Sequence, residues 1–212
     1  MYIPDYFRPS DEAVRAVLQA PGAVHLITST ARGLLATLLP MVHDEPGSRP
    51  GLGEFGALLG HIAIKNDQWR EPAIGETLAI VRGPDAYITP SWYAAKREHG
   101  RVVPTWNYTL IHAYGRLVIH EDAAWLEANV RRLVEAHEAE RDHPWGVDDA
   151  PRPYVEGQLR AIVGVELLID RIEAKDKLSQ NRSEADIDGV IAGLEADGEQ
   201  DVSAAMRRTR DS

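Results

Sequence analysis

Thr105-Trp-Asn-Tyr-Thr-Leu-Ile-His-Ala-Tyr-Gly-Arg-Leu-Val-Ile-His120 is the longest β-like run in the chain, and Pro104 stands immediately before it. Trp106, Tyr108, Leu110, His112 and Tyr114 fall on one face of this run by strict alternation, the period of two that a strand imposes. Gly115 predicts a bulge or bend within it. To the N-terminal side, Ala23 to Thr30 and Leu34 to Val42 read as strands joined across Ala31-Arg32-Gly33, a hairpin signal. Ala57 to Ile64 reads as a further strand. Glu76 to Val81 and Ala86 to Thr89 read as a second hairpin about a Gly83-Pro84-Asp85 turn. To the C-terminal side, Ala161 to Ile172 is apolar and branched and reads as the last strand.

Helices flank these strands. Ser10 can cap a short helix whose first turn carries Asp11 and Glu12, and Pro21-Gly22 ends it. Ala123 to Glu140 is the clearest helix. Trp125, Leu126, Val130, Leu133, Val134 and His137 form its stripe, and Asp122 is its cap. Pro144 and Pro151-Arg152-Pro153 read as a loop. Ser183 with Asp186 reads as a capping box for a helix ending near Gly193, and the polar tail beyond it is expected to be loosely held. Short strands that do not alternate with helices argue against a parallel βαβ sheet. They argue for a mainly β or α+β barrel with flanking helices. The expected division is a barrel domain over 1–174 with an inserted helix, followed by a C-terminal segment over 175–212 that packs on it.

Composition narrows the chemistry. With no cysteine, disulfides, thiolate metal sites and cysteine nucleophiles are excluded. No signal-peptide pattern opens the chain and no run of about 18 apolar residues occurs, so the expected address is cytoplasmic, without a membrane partner. The net charge of −10 opposes binding of a phosphate backbone by the whole surface. Arg207, Arg208 and Arg210 form the one basic cluster, read as a frayed, solvated tail.

Catalytic motifs are near misses. Gly51-Leu-Gly53-Glu-Phe-Gly56 matches G-x-G-x-x-G, but it follows a polar loop and precedes a strand, the reverse of a dinucleotide site. His137-Glu138 lacks the second histidine of a zinc protease, because Arg141 stands one turn on. No serine occupies a G-x-S-x-G elbow, and the eight histidines show no metal-ligand spacing.

Three segments stand apart from ordinary packing. They are Gly60-His61-Ile-Ala-Ile-Lys-Asn66-Asp-Gln68-Trp69, then Pro90-Ser91-Trp92-Tyr93 with Pro104-Thr105-Trp106-Asn107-Tyr108, then Lys177-Leu-Ser179-Gln180-Asn181-Arg182-Ser183. The last places basic and hydrogen-bonding side chains between a strand and a helix start, a ready anion site, though an ordinary polar cap has the same composition. The middle one combines aromatics with small hydrogen-bonding groups. That suits a flat heterocycle with a polar edge, and core or interface packing uses the same residues.

With these segments, Met1-Tyr2-Ile3-Pro4, Phe7-Arg8, Gly83-Pro84 with Ala86-Tyr87-Ile88, and Ala161-Ile-Val-Gly164 in the same order, the sequence resembles the PaiB-type FMN-binding negative transcriptional regulators over nearly its whole length. The resemblance implies an FMN-binding split β-barrel and a homodimer with FMN at the interface. It further implies a flavin phosphate near Lys177, Ser179, Gln180, Asn181 and Arg182. Thr105, Trp106, Asn107 and Tyr108 would line the ring, with His61, Ser91 and Trp92 close by. The family name implies transcriptional regulation, yet no helix-turn-helix is visible and the acidic charge does not support DNA as a partner. The alternatives are an FMN-dependent oxidoreductase or a haem-binding or haem-degrading enzyme, and a barrel that holds no cofactor. His61 and His112 are the candidate proton-transfer groups.

Overall fold

The computed structural model describes residues 1–20 and 22–210. The elements in chain order are α1 (Asp11–Gln19), β1 (Gly22–Thr30), β2 (Gly33–Asp44), β3 (Ala57–Ala63), β4 (Thr77–Ile88), α2 (Ala94–Glu98), β5 (Thr105–His120), α3 (Ala123–Glu138), α4 (Arg152–Leu159), β6 (Ile162–Lys177), α5 (Glu184–Ala196) and α6 (Gln200–Arg210). The six strands close into a barrel in the order β1-β2-β3-β6-β5-β4, the mainly β, α+β architecture expected from the pattern of short strands. The registered pairs are antiparallel: Leu26 faces Thr37 and Ala79, Val42 faces Leu59, and His61 faces Gly164.

The chain divides into two compact units. One holds 1–14, 82–111 and 173–212, and the other holds 15–81 and 112–172. In the second unit, β1 buries every other residue, with Val24, Leu26, Thr28 and Thr30 inward. The buried Gln68 fastens this sheet. Its amide donates to the Leu26 carbonyl at 3.0 Å, and its side-chain oxygen accepts from Thr37 Oγ1 at 2.6 Å. The helical satellite core joins Leu126, Val147, Val155 and Leu159. Trp125 stacks on His120 with centroids 4.0 Å apart, and His120 Nε2 lies 2.7 Å from the buried Glu166, which also accepts from Arg49. In the first unit, Ile88, Tyr93, Leu178, Val190, Leu194, Val202 and Met206 form the core beneath α5 and α6.

Several sequence expectations are met. β5 spans the predicted run, Ser10 and Asp122 accept from the first-turn amides of α1 and α3, and Ser183 accepts from the Asp186 amide at 3.3 Å. The end of α1 predicted at Pro21-Gly22 falls partly outside the described residues, since Pro21 is not among them.

Other expectations are corrected. The hairpin about Gly83-Pro84-Asp85 does not form, because β4 runs unbroken from Thr77 to Ile88. Gly83 is needed there for clearance: a Cβ would meet the Thr109 side chain at 2.8 Å. Gly115, read as a bulge or bend, lies inside β5, which continues through it to His120. It lets the strand approach β6, where a Cβ would overlap the Leu168 carbonyl oxygen. Pro151 caps α4, whose first turn accepts Pro153 because the N–H it lacks has no helical partner there. β6 continues past Ile172 to Lys177, its outer positions alternating through charged side chains. Beyond Gly193 the described residues, to Arg210, are largely helical: α6 buries Val202, Ala205 and Met206, spaced to share one helical face. Arg207 pairs with Glu195 and Arg210 with Asp188, each at 2.6 Å.

Gly115→Ala therefore forces methyl against backbone. It is expected to lower stability by about 3 kcal/mol, at the upper end of ordinary overpacking costs, read from urea unfolding. Asp176 supplies a second test. It is 7 % exposed, one carboxylate oxygen is buried without a partner, and burial pushes its carboxyl up against the opposing effects of Thr109 and Arg208. A raised folded-state value means that Asp176 favours folding least once pH exceeds it, with no penalty below the unfolded value. Asp176→Asn is expected to be at least as stable as the parent at neutral pH. The difference should close on acidification, followed by unfolding midpoints across pH.

Candidate functional site

The first unit gathers most of the sequence-predicted residues on the start of β5, the end of β6 and the loop into α5. Along β5 the alternation sorts them. Asn107 and Thr109 point inward and are buried, while Trp106, 48 % exposed, and Tyr108 stand on the outer face. The aromatic face recognised in the sequence is thus the accessible one. On β6, Lys175 and Lys177 share a face by the same period of two. Their ammonium groups lie 5.8 and 5.9 Å from the Tyr108 ring centroid, within cation–π range. Lys177 Nζ donates to Thr105 Oγ1 and, at 2.9 Å, to the Trp106 carbonyl, so β6 clasps the first residues of β5.

The loop after β6 turns on Ser179, the one non-glycine residue with positive φ (69°) among the described residues. Asn107, fully buried, donates from Nδ2 to Ser179 Oγ at 3.0 Å. Gln180 spends its side chain on the same loop, accepting from the Leu178 amide and donating to the Asp176 carbonyl. Asn107, Ser179 and Gln180 thereby hold the loop's shape. Asn181 is exposed, and the Arg182 guanidinium lies over the Tyr93 ring at 4.8 Å. Burial pushes the Tyr93 phenol up, partly offset by Arg182, and its hydroxyl makes no hydrogen bond of ordinary geometry.

The electrostatics of this surface run against the composition of the chain. Acidic residues outnumber basic ones 33 to 23, yet among the described residues Lys175, Lys177 and Arg182 form no ion pair with a carboxylate. Burial, then Lys175, then Arg182 hold the Lys177 ammonium below the ordinary lysine range. Cations gathered in this way without a carboxylate partner among the described residues make a surface suited to an anion.

Beside it, a pocket of about 240 Å³ is lined by Arg82, Asp85, Trp106, Tyr108, Thr109 and Leu110. Its Trp106 wall and the neighbouring cations offer a flat apolar surface, hydrogen-bond partners and positive charge, the donor set that a flavin mononucleotide needs.

The remaining predicted residues stand elsewhere. Ser91 accepts from Lys96 Nζ at 3.0 Å, and Trp92 packs against α5 beside Gly189 and Gly193. His61 belongs to β3 in the other unit. It is half-buried, its Nδ1 is buried without a partner, and burial holds the imidazole below its ordinary range, hence neutral near pH 7. His112, on β5 in that unit, lies edge-on to Tyr114. Lys175, Arg82 and Asp85 were missed. Lys175 was legible as the residue two before Lys177 on one strand face, but β6 was ended too early. Arg82 and Asp85 were hidden by reading β4 as a turn.

Residues 1–171 match the family described as "Putative FMN-binding domain". The chain is 34% identical over 198 residues to protease synthase and sporulation protein PAI 2 of Bacillus subtilis, covering 92% of this chain and 89% of that protein. It is 32% identical to an uncharacterised protein of Emericella nidulans, covering 86% and 89%. Among solved structures, the flavocytochrome Anf3 of Azotobacter vinelandii superposes with a TM-score of 0.53 at 16% identity, covering 82% of this chain and 72% of that one. The FAD and haem binding protein of Mycobacterium smegmatis gives 0.52 at 15%, covering 87% and 80%. At such identities these two show the fold, the split barrel of flavin-binding proteins. The match over residues 1–171 and the likeness to PAI 2 place this chain in the FMN-binding domain family.

Proposed function

We propose that this chain binds FMN on the outer face formed by the start of β5 and the end of β6. The observation that carries the reading is the trio Lys175, Lys177 and Arg182, unpaired among the described residues, beside the exposed Trp106–Tyr108 face. Lys177 and Arg182 hold the phosphate, with Asn181 and Thr105 as further hydrogen-bonding partners. Trp106 and Tyr108 form one wall for the isoalloxazine ring. Ser179, Gln180 and Asn107 fix the loop that presents these groups. Bound FMN supplies reversible one- and two-electron chemistry, and the protein's own part is to position and shield it.

A second copy of the chain covers the ring. Pockets that enclose drug-sized ligands measure roughly 300–1,000 Å³. The 240 Å³ pocket is too small to enclose a flavin alone, which supports a homodimer with the cofactor at its interface. Mass action then makes FMN a stabiliser of the dimer.

The likeness to PAI 2 supports a regulatory role. Contact with DNA through α6 is disfavoured, because Arg207 and Arg210 are engaged with Glu195 and Asp188 on a chain of net charge −10. The regulator reading therefore favours a protein partner, and a gel-shift assay on promoter DNA tests the alternative. No helix among the described residues is long and apolar enough to cross a membrane.

The test is the absorbance spectrum of the purified protein, followed by an FMN titration read by flavin fluorescence. Micromolar binding is expected, weakened about tenfold or more by Lys177→Ala and by Arg182→Ala, the scale of one lost charge-assisted hydrogen bond. Failure to bind FMN sinks the proposal, and a Soret band in its place shifts the reading to haem. Phosphate recognition also has a predicted pH dependence. The lowered Lys177 value means its charge is lost at lower pH than that of a free lysine, so FMN affinity should fall on the alkaline side before ordinary lysines titrate. Lys177→Arg should flatten that decline.

A further inference from the structure

We infer that Asp85 is a positioning residue for Trp106, with Arg82 as the second link of the clamp. This inference rests on the proposed flavin site, since it concerns how one wall of that site is held. The Trp106 indole N–H donates to Asp85 Oδ1 at 2.8 Å, and Arg82 Nη2 donates to Asp85 Oδ2 at 2.5 Å. Each carboxylate oxygen has its own partner, so Asp85 cannot rotate without breaking one bond. Tyr87 meets the indole edge-on, with centroids 6.2 Å apart and planes at 61°. Lys177 holds the Trp106 carbonyl from the other strand. Trp106 is therefore fixed at both ends, its backbone by Lys177 and its ring edge by Asp85, while its face stays open to the pocket that Arg82, Asp85 and Tyr108 share with it.

This arrangement is more than a surface ion pair. Arg82 and Asp85 are three residues apart and largely exposed on the arginine side, a pairing that contributes little on its own. A half-exposed indole could also satisfy its N–H with water. What the carboxylate adds is direction: a charge-assisted bond fixes the ring plane before any ligand arrives. Stacking on a ring already in place avoids the entropic cost of ordering it on binding. Arg82, held by Asp85, keeps its remaining guanidinium donors along the same pocket wall.

The test is a double-mutant cycle on FMN affinity with Asp85→Ala, Trp106→Phe and the pair combined. Trp106→Phe keeps a ring but removes the N–H that Asp85 holds. Asp85→Ala is expected to weaken FMN about tenfold. The combined variant should bind no more weakly than Trp106→Phe alone, because Asp85 acts through the indole. Asp85→Asn, which keeps an acceptor oxygen, should retain most of the affinity. Additive losses in the cycle overturn the inference. A second readout does not need flavin: Trp106 emission, isolated as the difference between the parent and Trp106→Phe, should lose anisotropy and shift to the red in Asp85→Ala. Unchanged anisotropy overturns the clamp even where FMN binds. A parent that ignores FMN while its Trp106 emission responds to Asp85→Ala overturns the flavin site and leaves the clamp standing.

Discussion

Ser179 holds a left-handed backbone conformation that costs an L-residue about 1–2 kcal/mol, and much of the first unit depends on that cost being met. Asn107 meets it, fully buried and bonded to the Ser179 hydroxyl across the end of the barrel. The turn at Ser179 follows the end of β6 at Lys177, precedes Arg182, and leads into α5 at the Ser183 cap. Without it β6 would run on, and Arg182, five residues past Lys177, would fall on the face opposite Lys175 and Lys177. A buried amide of this kind is usually read as a ligand-binding residue. Here its amide is committed to the shape of the loop.

The two units solve the problem of buried charge differently. In the second, Glu166 is 3 % exposed and is shared between Arg49 and His120, with Asp44 drawing on Arg49, Ser48 and Arg132. Charge there is neutralised within the chain, and removing one member would strand the others. In the first unit three cations are left with no such partner among the described residues, although carboxylates are in excess overall. Cations left without a carboxylate partner on an acidic chain are the feature on which the proposed anion site rests.

The fold was legible where a single period governed a long segment. β5 and α3 are such segments, and the caps Ser10, Asp122 and Ser183 follow from the need to satisfy the first amides of a helix. It was illegible where a residue's local preference was overridden by a neighbour. Gly83-Pro84-Asp85 has the composition of a turn, but the glycine serves the approach of Thr109 and the strand passes through. α6 looked polar because the residues it buries, Val202, Ser203, Ala205 and Met206, include just three apolar ones among charged neighbours. Of the candidate site, the motif Lys177 to Arg182 and the aromatics of β5 were readable. The sorting of Asn107 inward and Trp106 outward required the direction of the strand's pleat, which sequence alone does not give.

Pro84 has a further effect. β1 pairs with β4 only through Leu78, Ala79 and Ile80, so beyond that point β4 carries β5 on one side. Proline there removes a backbone donor from the margin of the sheet. A proline in a strand with one open side is a recognised brake on edge-to-edge strand addition, because it offers an incoming strand no N–H.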